Sequence, residues 1–175
     1  LLHRAFHVAK RVRTETKIGN SAVSVSSVAV ELAHKIFGTL EKKTVLLIGA
    51  GEMCELAARH LVTEGVGKVL VTNRTYERAA ALAQEFNGEA LPFDELIQGL
   101  KKVDIVISAT DSRQPLIGHD QVAKVIKERK QKPIFFIDIA DPRDIEPRVG
   151  DIENVYLYNI DDLKKVADEN IQDRE

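Results

Sequence analysis

The sequence has few of the residues that mark disulfide-bonded, membrane-bound or nucleic-acid-binding proteins. It contains one cysteine and no tryptophan in 175 residues, so no disulfide can form within the chain, as is typical of a reducing compartment. Its 25 basic and 27 acidic residues give a net charge of −2, which does not favour DNA or an anionic membrane as a partner. No apolar run approaches a membrane span, and no signal-peptide pattern opens the chain. We therefore predict a cytoplasmic protein that binds neither membrane nor DNA.

Residues able to perform covalent or metal chemistry are also scarce. The five histidines are scattered without the spacing of metal ligands, and no acid, base and nucleophile form a recognisable arrangement. We predict no metal site and no catalytic residue in this chain. Its length suits one α/β domain, and it begins with Leu1 rather than methionine, inside a helical pattern. We expect it to be a piece of a longer protein.

One stretch of the sequence combines a strand, a glycine turn and a helix. The apolar run of residues 45–48 ends in Gly49-Ala50-Gly51, and a helix-compatible segment follows at once. Gly49 permits a tight turn, and Gly51 lets the backbone approach a pyrophosphate that a Cβ atom would block. The free N–H groups of the following helix would face that diphosphate. The predicted cofactor-binding residues of this segment are Gly49, Ala50, Gly51, Glu52, Met53 and Cys54.

Cys54 occupies the third position of this glycine fingerprint, which is usually glycine or alanine. Because its side chain is larger, we expect the helix to pack slightly less closely on the strand. The same position places the thiol on the packing side of the helix. We therefore predict that Cys54 does not act as a nucleophile.

The second predicted strand, residues 68–72, ends in Asn73-Arg74-Thr75. A site that takes NAD usually has a carboxylate at this point, which accepts a hydrogen bond from the ribose 2′-hydroxyl. Here there is no acid, and Arg74 can instead form a bidentate pair with a 2′-phosphate, with Asn73 and Thr75 as further donors. We predict that these three residues select NADPH. The alternative is that Arg74 is only solvated and that Thr75 only caps the next helix.

From residue 44 onward, predicted strands alternate with predicted helices. One helix is predicted to begin at Gln121, and Asp161 is predicted to cap the last helix. The predicted strands cover residues 44–48, 68–72, 89–91, 104–108, 133–139 and 154–158. Such alternation predicts a parallel sheet with right-handed crossovers. We therefore predict an α/β fold with a doubly wound, Rossmann-type parallel sheet of about six strands. Extra N-terminal helices are predicted ahead of it, over residues 1–13 and about residues 24–37.

Further candidate binding residues lie where the fourth and fifth strands end. In a doubly wound sheet, ligands bind beyond the carboxyl ends of the strands. Ser108, Ala109 and Thr110 lie at such an end, and the two hydroxyls are predicted to hold ribose or phosphate. Asp138 ends the fifth strand. It is predicted either to lie beside a nicotinamide or to be a turn-forming carboxylate ahead of the next proline.

The helix predicted over residues 1–13 has one apolar stripe and a basic opposite face. The basic residues are Arg4, Lys10, Arg11 and Arg13. This face is either a contact for RNA phosphates or simply solvated.

Five segments in this order resemble the glutamyl-tRNA reductases. They are AKRVRTETKIG (residues 9–19), AVSVSSVAVELA (22–33), VLLIGAGEM (45–53), NRTYERA (73–79) and DIADPRDI (138–145). The resemblance implies that NADPH reduces a glutamyl thioester, formed when a cysteine attacks glutamyl-tRNA, to glutamate-1-semialdehyde, which opens tetrapyrrole (porphyrin) synthesis. No position here matches the motif of that nucleophilic cysteine. The chain alone is therefore expected to be inactive.

The resemblance also implies three domains. Residues 1–22 would be a helix and connector from a preceding catalytic domain, residues 23–160 the NADPH-binding domain, and residues 161–175 the start of a helix leading to a dimerisation domain. Glutamyl-tRNA would bind through the other domains, and the full-length enzyme would be a homodimer. Two alternatives are the NADP domain of a shikimate-dehydrogenase-like oxidoreductase, whose strand also ends in Asn-Arg-Thr, and a non-catalytic dinucleotide-sensing module.

Overall fold

A computed structural model describes residues 24–49 and 51–174 and contains a six-stranded sheet with helices on both faces. The strands are β1 (Thr44–Ile48), β2 (Lys68–Thr72), β3 (Glu89–Ala90), β4 (Ile105–Ser108), β5 (Ile134–Asp138) and β6 (Val155–Asn159). Their order across the sheet is β3-β2-β1-β4-β5-β6, and all neighbours are parallel. The order reverses between β1 and β4, as in a doubly wound sheet. The predicted Rossmann-type fold is confirmed.

The helices connect successive strands and cover both faces of the sheet. They are α1 (residues 24–37 of the described part), α2 (Glu52–Thr63), α3 (Tyr76–Glu85), α4 (Leu96–Gly99), α5 (His119–Glu128) and α6 (Ile160–Gln172), with 3₁₀ turns at Phe93–Glu95 and Pro147–Asp151. Buried residues of α1, α2, α3 and α6 form the core on one face, and those of α4 and α5 form the core on the other. Within the described residues, no helix combines the length and the apolar character needed to cross a bilayer.

The apolar runs of the sequence become strands that are buried on both faces. In β1, Val45 and Leu47 pack into one core, whereas Leu46 and Ile48 pack into the other. This alternation follows from the two-residue repeat of a strand, and burial on both faces is typical of parallel sheets. The two faces of the sheet are therefore both covered by packed side chains.

The last helix begins one residue before the predicted cap. The N-cap is Asn159, whose side chain accepts a hydrogen bond from the Asp162 N–H at 2.9 Å, while Asp162 accepts one from the Asn159 N–H. The prediction that Asp161 caps this helix is therefore wrong, because the reciprocal pair places the N-cap two positions earlier, at Asn159. The helix packs on the core through Leu163 and Ala167. The elements predicted over residues 1–22 lie outside the described residues.

Candidate functional site

A cleft of about 250 Å³ opens at the carboxyl ends of β1, β2 and β4. Its lining residues are Gly49, Asn73, Arg74, Arg78, Phe93, Ala109, Thr110 and Asp111. The structure thus brings the glycine turn, the end of the second strand and the end of the fourth strand to one place. The predicted residues that do not line it are Gly51, Glu52, Met53, Cys54, Thr75 and Ser108, and Ala50 lies outside the described residues.

The turn after β1 has the geometry that its glycines predict. Gly49 has a φ of +85°, a left-handed conformation that residues with a Cβ atom rarely adopt. A Cβ atom at Gly49 would lie 2.9 Å from the carbonyl oxygen of Ala109, so the turn and the opposite loop approach each other closely. Gly51 is extended, with a φ of −122°, and is the N-cap of α2. The free N–H groups of this helix therefore begin at the carboxyl edge of the sheet.

The first turn of α2 separates exposed from buried side chains. Glu52 is exposed, and Met53 is half-buried against the core. Cys54 is buried, with its Sγ atom 3.8 Å from the carbonyl oxygen of Ile107. None of these three residues is among those that line the cleft.

Two guanidinium groups line the cleft on the side where β2 ends. Arg74 follows β2, and its Cζ atom lies 6.0 Å from the ring centroid of Phe93, within the range of a cation–π contact. Arg78 was missed by sequence reasoning, although it lies four residues beyond Arg74 and within α3. Among the described residues, neither guanidinium forms an ion pair with a carboxylate. Both charges are therefore available to an anionic ligand.

The polar residues beside Arg74 hold the turn between β2 and α3. The Asn73 side-chain oxygen accepts a hydrogen bond from the Thr75 N–H at 3.3 Å. Thr75 is the N-cap residue of α3, but its side chain makes no capping hydrogen bond. Thr75 therefore occupies the N-cap position that the alternative gave it, although its side chain does not donate or accept a capping hydrogen bond.

The hydroxyls that end β4 are bound to a carboxylate rather than free for a ligand. Ser108 is fully buried, and its Oγ atom donates to Asp144 at 2.5 Å. Thr110 donates to the same carboxylate from its Oγ1 atom at 2.5 Å and from its backbone N–H at 2.9 Å. The expectation that both hydroxyls hold ribose or phosphate needs correction, because both donate their hydrogen bonds to Asp144 and have none left to donate to a phosphate. Thr110 still lines the cleft with its remaining atoms.

Two roles were predicted for Asp138, and the structure shows the second of them, a turn-forming carboxylate. It is buried and accepts hydrogen bonds from the N–H groups of Ala140, Asp144 and Ile145 at 3.0–3.1 Å. Burial raises the pKa of Asp138, and the nearby Asp144 carboxylate adds to that increase, while the three N–H groups act to lower it. Asp138 thus shapes the loop that follows β5, which also contains a cis Asp141–Pro142 peptide bond.

Cys54 is expected to resist modification while the chain is folded. Burial is the main cause that raises the pKa of its thiol to about 12, with the Glu55 and Asp144 carboxylates adding to the effect. At pH 8 the pH is about four units below that pKa, so on the order of one thiol in ten thousand is ionised. Labelling with iodoacetamide at pH 8, followed by mass spectrometry, should leave native Cys54 unmodified and label it rapidly in urea. Rapid labelling of the native chain would contradict this placement.

Comparison with known proteins agrees with the fold and the motifs. The sequence model of the family described as Shikimate / quinate 5-dehydrogenase matches residues 31–166. Glutamyl-tRNA reductase of Geobacter metallireducens is 63% identical over 99% of this chain and 40% of that relative's length. The solved glutamyl-tRNA reductase of Methanopyrus kandleri has a TM-score of 0.81 and 49% identity, over 98% of this chain and 43% of its own.

A more distant structure supports the fold alone. The nucleotide binding domain of glutamyl-tRNA reductase from Thermoplasma volcanium has a TM-score of 0.66 and 21% identity, over 86% of this chain and 95% of that domain. This chain therefore shares the fold of that domain, and it spans about 40% of the length of the curated relatives it matches. The chain belongs to the family described as Shikimate / quinate 5-dehydrogenase, and the predicted resemblance to glutamyl-tRNA reductases is confirmed along 99% of its length.

Proposed function

We propose that this chain is the NADPH-binding domain of a glutamyl-tRNA reductase. The observation that carries the choice of cofactor is that two guanidinium groups, Arg74 and Arg78, line the cleft that also contains the glycine turn, and neither forms an ion pair within the described part of the chain. A 2′-phosphate carries close to two negative charges near neutral pH and offers three acceptor oxygens. Planar guanidinium groups match that geometry.

The charge of the cleft supports NADPH over NADH. Its lining contains two arginines against one carboxylate, Asp111. The residues that follow β2 are neutral or basic, so no carboxylate stands where it would repel a 2′-phosphate. We infer that Arg74 and Arg78 hold this phosphate, with Asn73 and Thr75 as neighbouring donors.

The glycine turn supports a diphosphate next to the adenosine. Among the described residues, a Cβ atom built at Gly51 would have just one neighbour within 4 Å, the Ala109 Cβ atom at 3.6 Å. The N-terminus of α2 begins there, and backbone N–H groups at a helix start favour a phosphate. The predicted segment Gly49 to Met53 is therefore proposed to hold the diphosphate through its backbone, not its side chains.

When bound, NADPH would supply a hydride for the reduction of the glutamyl thioester to glutamate-1-semialdehyde. The thiol that forms this thioester is proposed to belong to another part of the whole enzyme. Cys54 is the single cysteine of this sequence, and it is buried with a raised pKa. Glutamyl-tRNA as the substrate, the homodimer and the division into residues 1–22, 23–160 and 161–175 are proposed with it from the relatives.

Calorimetric titration of the chain with NADPH and with NADH tests the choice of cofactor. NADPH should bind more tightly, and Arg74→Ala should weaken NADPH binding by about ten- to a hundredfold, as expected when hydrogen bonds to a charged group are lost. Arg78→Ala should act in the same direction. Neither substitution should change NADH binding by more than about twofold, because NADH has no 2′-phosphate.

Arg59→Ala is the matched control for these arginine variants. Arg59 is exposed on α2 and pairs with Glu85, away from the cleft. It should leave both affinities unchanged, since a surface ion pair contributes little. Equal affinities of the unmodified chain for NADPH and NADH would overturn the proposed cofactor.

The alternative of a shikimate-dehydrogenase-like oxidoreductase is favoured by the description of the matching family. Both candidates would use NADPH, so cofactor titration does not separate them. Assay of the whole enzyme with glutamyl-tRNA and NADPH, and in parallel with shikimate and NADP⁺, does. Activity with shikimate alone would replace the proposed reaction.

A further inference from the structure

We propose that Asp144 is a positioning residue that sets the strength of dinucleotide binding by holding the far wall of the cleft. This inference rests on the proposed function. Asp144 follows β5 and is fully buried, so it does not itself touch a ligand in the cleft. It acts through Ser108 and Thr110.

The Asp144 side chain fixes the end of β4 at three points. Its carboxylate accepts hydrogen bonds from the Ser108 hydroxyl, the Thr110 hydroxyl and the Thr110 N–H. Among the described residues, no lysine, arginine or histidine forms an ion pair with Asp144. These three donors therefore compensate the buried charge, and hydrogen bonds to an ionised acceptor are the strong ones.

The Asp144 backbone fixes the other end of the same loop. Its carbonyl oxygen accepts hydrogen bonds from Leu116 at 2.6 Å and Ile117 at 3.1 Å. Its own N–H donates to Asp138 at 3.0 Å, which anchors it to the end of β5. The loop between residues 110 and 116 is thus held at both ends by one residue that lies about thirty positions further along the chain.

The loop held in this way forms one side of the binding cleft. Ala109, Thr110 and Asp111 line the cleft opposite Arg74, and residues 111–116 continue the groove beside Arg74. The Ala109 carbonyl also lies against Gly49, since a Cβ atom there would be 2.9 Å away. The position of this wall therefore decides how much room the turn and the arginines leave for a ligand.

This role predicts an effect on affinity without an effect on selectivity. Asp144 does not line the part of the cleft that contains the guanidinium groups. Asp144→Asn keeps the shape of the side chain but replaces one acceptor oxygen by a donor nitrogen. It should weaken NADPH and NADH binding by the same factor, on the order of tenfold. Arg74→Ala, in contrast, changes the ratio of the two affinities.

The experiment titrates NADPH and NADH into the chain, the Asp144→Asn variant and an Asp104→Asn control, under conditions where circular dichroism shows all three folded. Asp104 accepts a hydrogen bond from the Thr44 N–H at 3.0 Å, at the opposite end of the sheet. Asp104 is a suitable control because it is also a hydrogen-bonded, partly buried carboxylate but does not line the cleft. Its replacement should leave both affinities within about twofold.

Two further measurements separate positioning from a general loss of stability. Without ligand, hydrogen exchange of the Thr110 amide should accelerate in Asp144→Asn and not in Asp104→Asn. Only the Asp144→Asn substitution alters the carboxylate that accepts the hydrogen bond of this amide. Adding Thr110→Val to Asp144→Asn should weaken binding by less than the product of the two single effects, because both act on one contact.

The outcomes distinguish this inference from the proposed function. If the unmodified chain binds neither dinucleotide, the proposed function fails. If it binds and Asp144→Asn binds equally well, or if Asp104→Asn weakens binding to the same extent, the positioning role of Asp144 is overturned. A change in the ratio of NADPH to NADH affinity in Asp144→Asn would also overturn it.

Discussion

Replacement of Gly49 by alanine should reduce NADPH affinity by about a hundredfold, because it deforms the turn on which the diphosphate is proposed to lie. Gly49 has a φ of +85°, and its Cβ atom would lie 2.9 Å from the Ala109 oxygen and 3.1 Å from Thr110 Cγ2. The carbonyl is backbone and cannot rotate away. The new methyl group would therefore displace either the turn or the opposite wall, and both line the cleft.

The same substitution should also lower the free energy of unfolding, by about 1–3 kcal/mol, the cost of a strained backbone conformation. Urea unfolding measures that loss, and calorimetry at 10 °C measures NADPH binding of the folded fraction. Unchanged stability together with unchanged affinity would show that the turn accommodates a side chain.

Gly51→Ala is the matched comparison, because its local cost is small. Gly51 has a φ of −122°, which any residue adopts, and in the described part of the chain a Cβ atom would contact the Ala109 methyl alone, at 3.6 Å. Stability should change by less than about 0.5 kcal/mol. NADPH binding should still weaken by at least about tenfold, because the methyl group would occupy the space proposed for the diphosphate. Normal binding by Gly51→Ala would place the diphosphate elsewhere.

The architecture was predictable because local pattern and tertiary environment agree. The runs that became β4 and β5 are almost wholly apolar, and a central parallel strand is buried on both faces.

The ends of helices were less predictable than the strands. The fifth helix begins at His119, two residues ahead of the predicted start at Gln121, because the Gln121 side chain accepts a hydrogen bond from the N-cap Gly118 N–H at 2.9 Å. Several polar residues in a row offer alternative caps, and only packing selects one.

The candidate site was predictable where it depends on short segments. The glycine turn and the residues after β2 lie within single strand–turn–helix units, so their spacing in the sequence determines their meeting point. Arg78 was missed because it lies within α3, and the sequence alone does not show which side of that helix borders the cleft. Four residues separate it from Arg74, and a helix starting at Tyr76 brings both to the same cleft.

The role of Asp144 could not be predicted from the sequence, for a different reason. Its partners, Ser108 and Thr110, precede it by 36 and 34 residues, and a helix and a strand lie between them. Hydroxyls at the end of a strand look the same in sequence whether they face a ligand or a buried carboxylate. Only the path of the loop after β5 decides between these two.

Arg129→Met should produce the largest loss of stability, about 3–5 kcal/mol, as expected when one member of a buried charged network is removed. The Arg129 side chain is only 3% exposed. It donates to five carbonyl oxygens at the amino ends of β4 and β5, and its guanidinium lies 3.5 Å from Asp104. The acceptors are the oxygens of Leu100, Lys101, Val103, Lys132 and Pro133.

Methionine would fill much of the space but leave these oxygens without a donor, and each unsatisfied buried group costs about 1–3 kcal/mol. Arg129→Lys should be intermediate, because an ammonium group retains the charge but cannot reach carbonyls on both strands. Arg59→Met, which breaks an exposed ion pair, should cost less than about 1 kcal/mol. Urea unfolding at pH 7 provides all three values.

Because Arg129 lies at the amino edge of the sheet and the cleft at the carboxyl edge, NADPH affinity of folded Arg129→Met should remain within about twofold of the unmodified chain. A loss below 1 kcal/mol would mean that water replaces the guanidinium, and a large loss of affinity would mean that the two edges of the sheet are coupled.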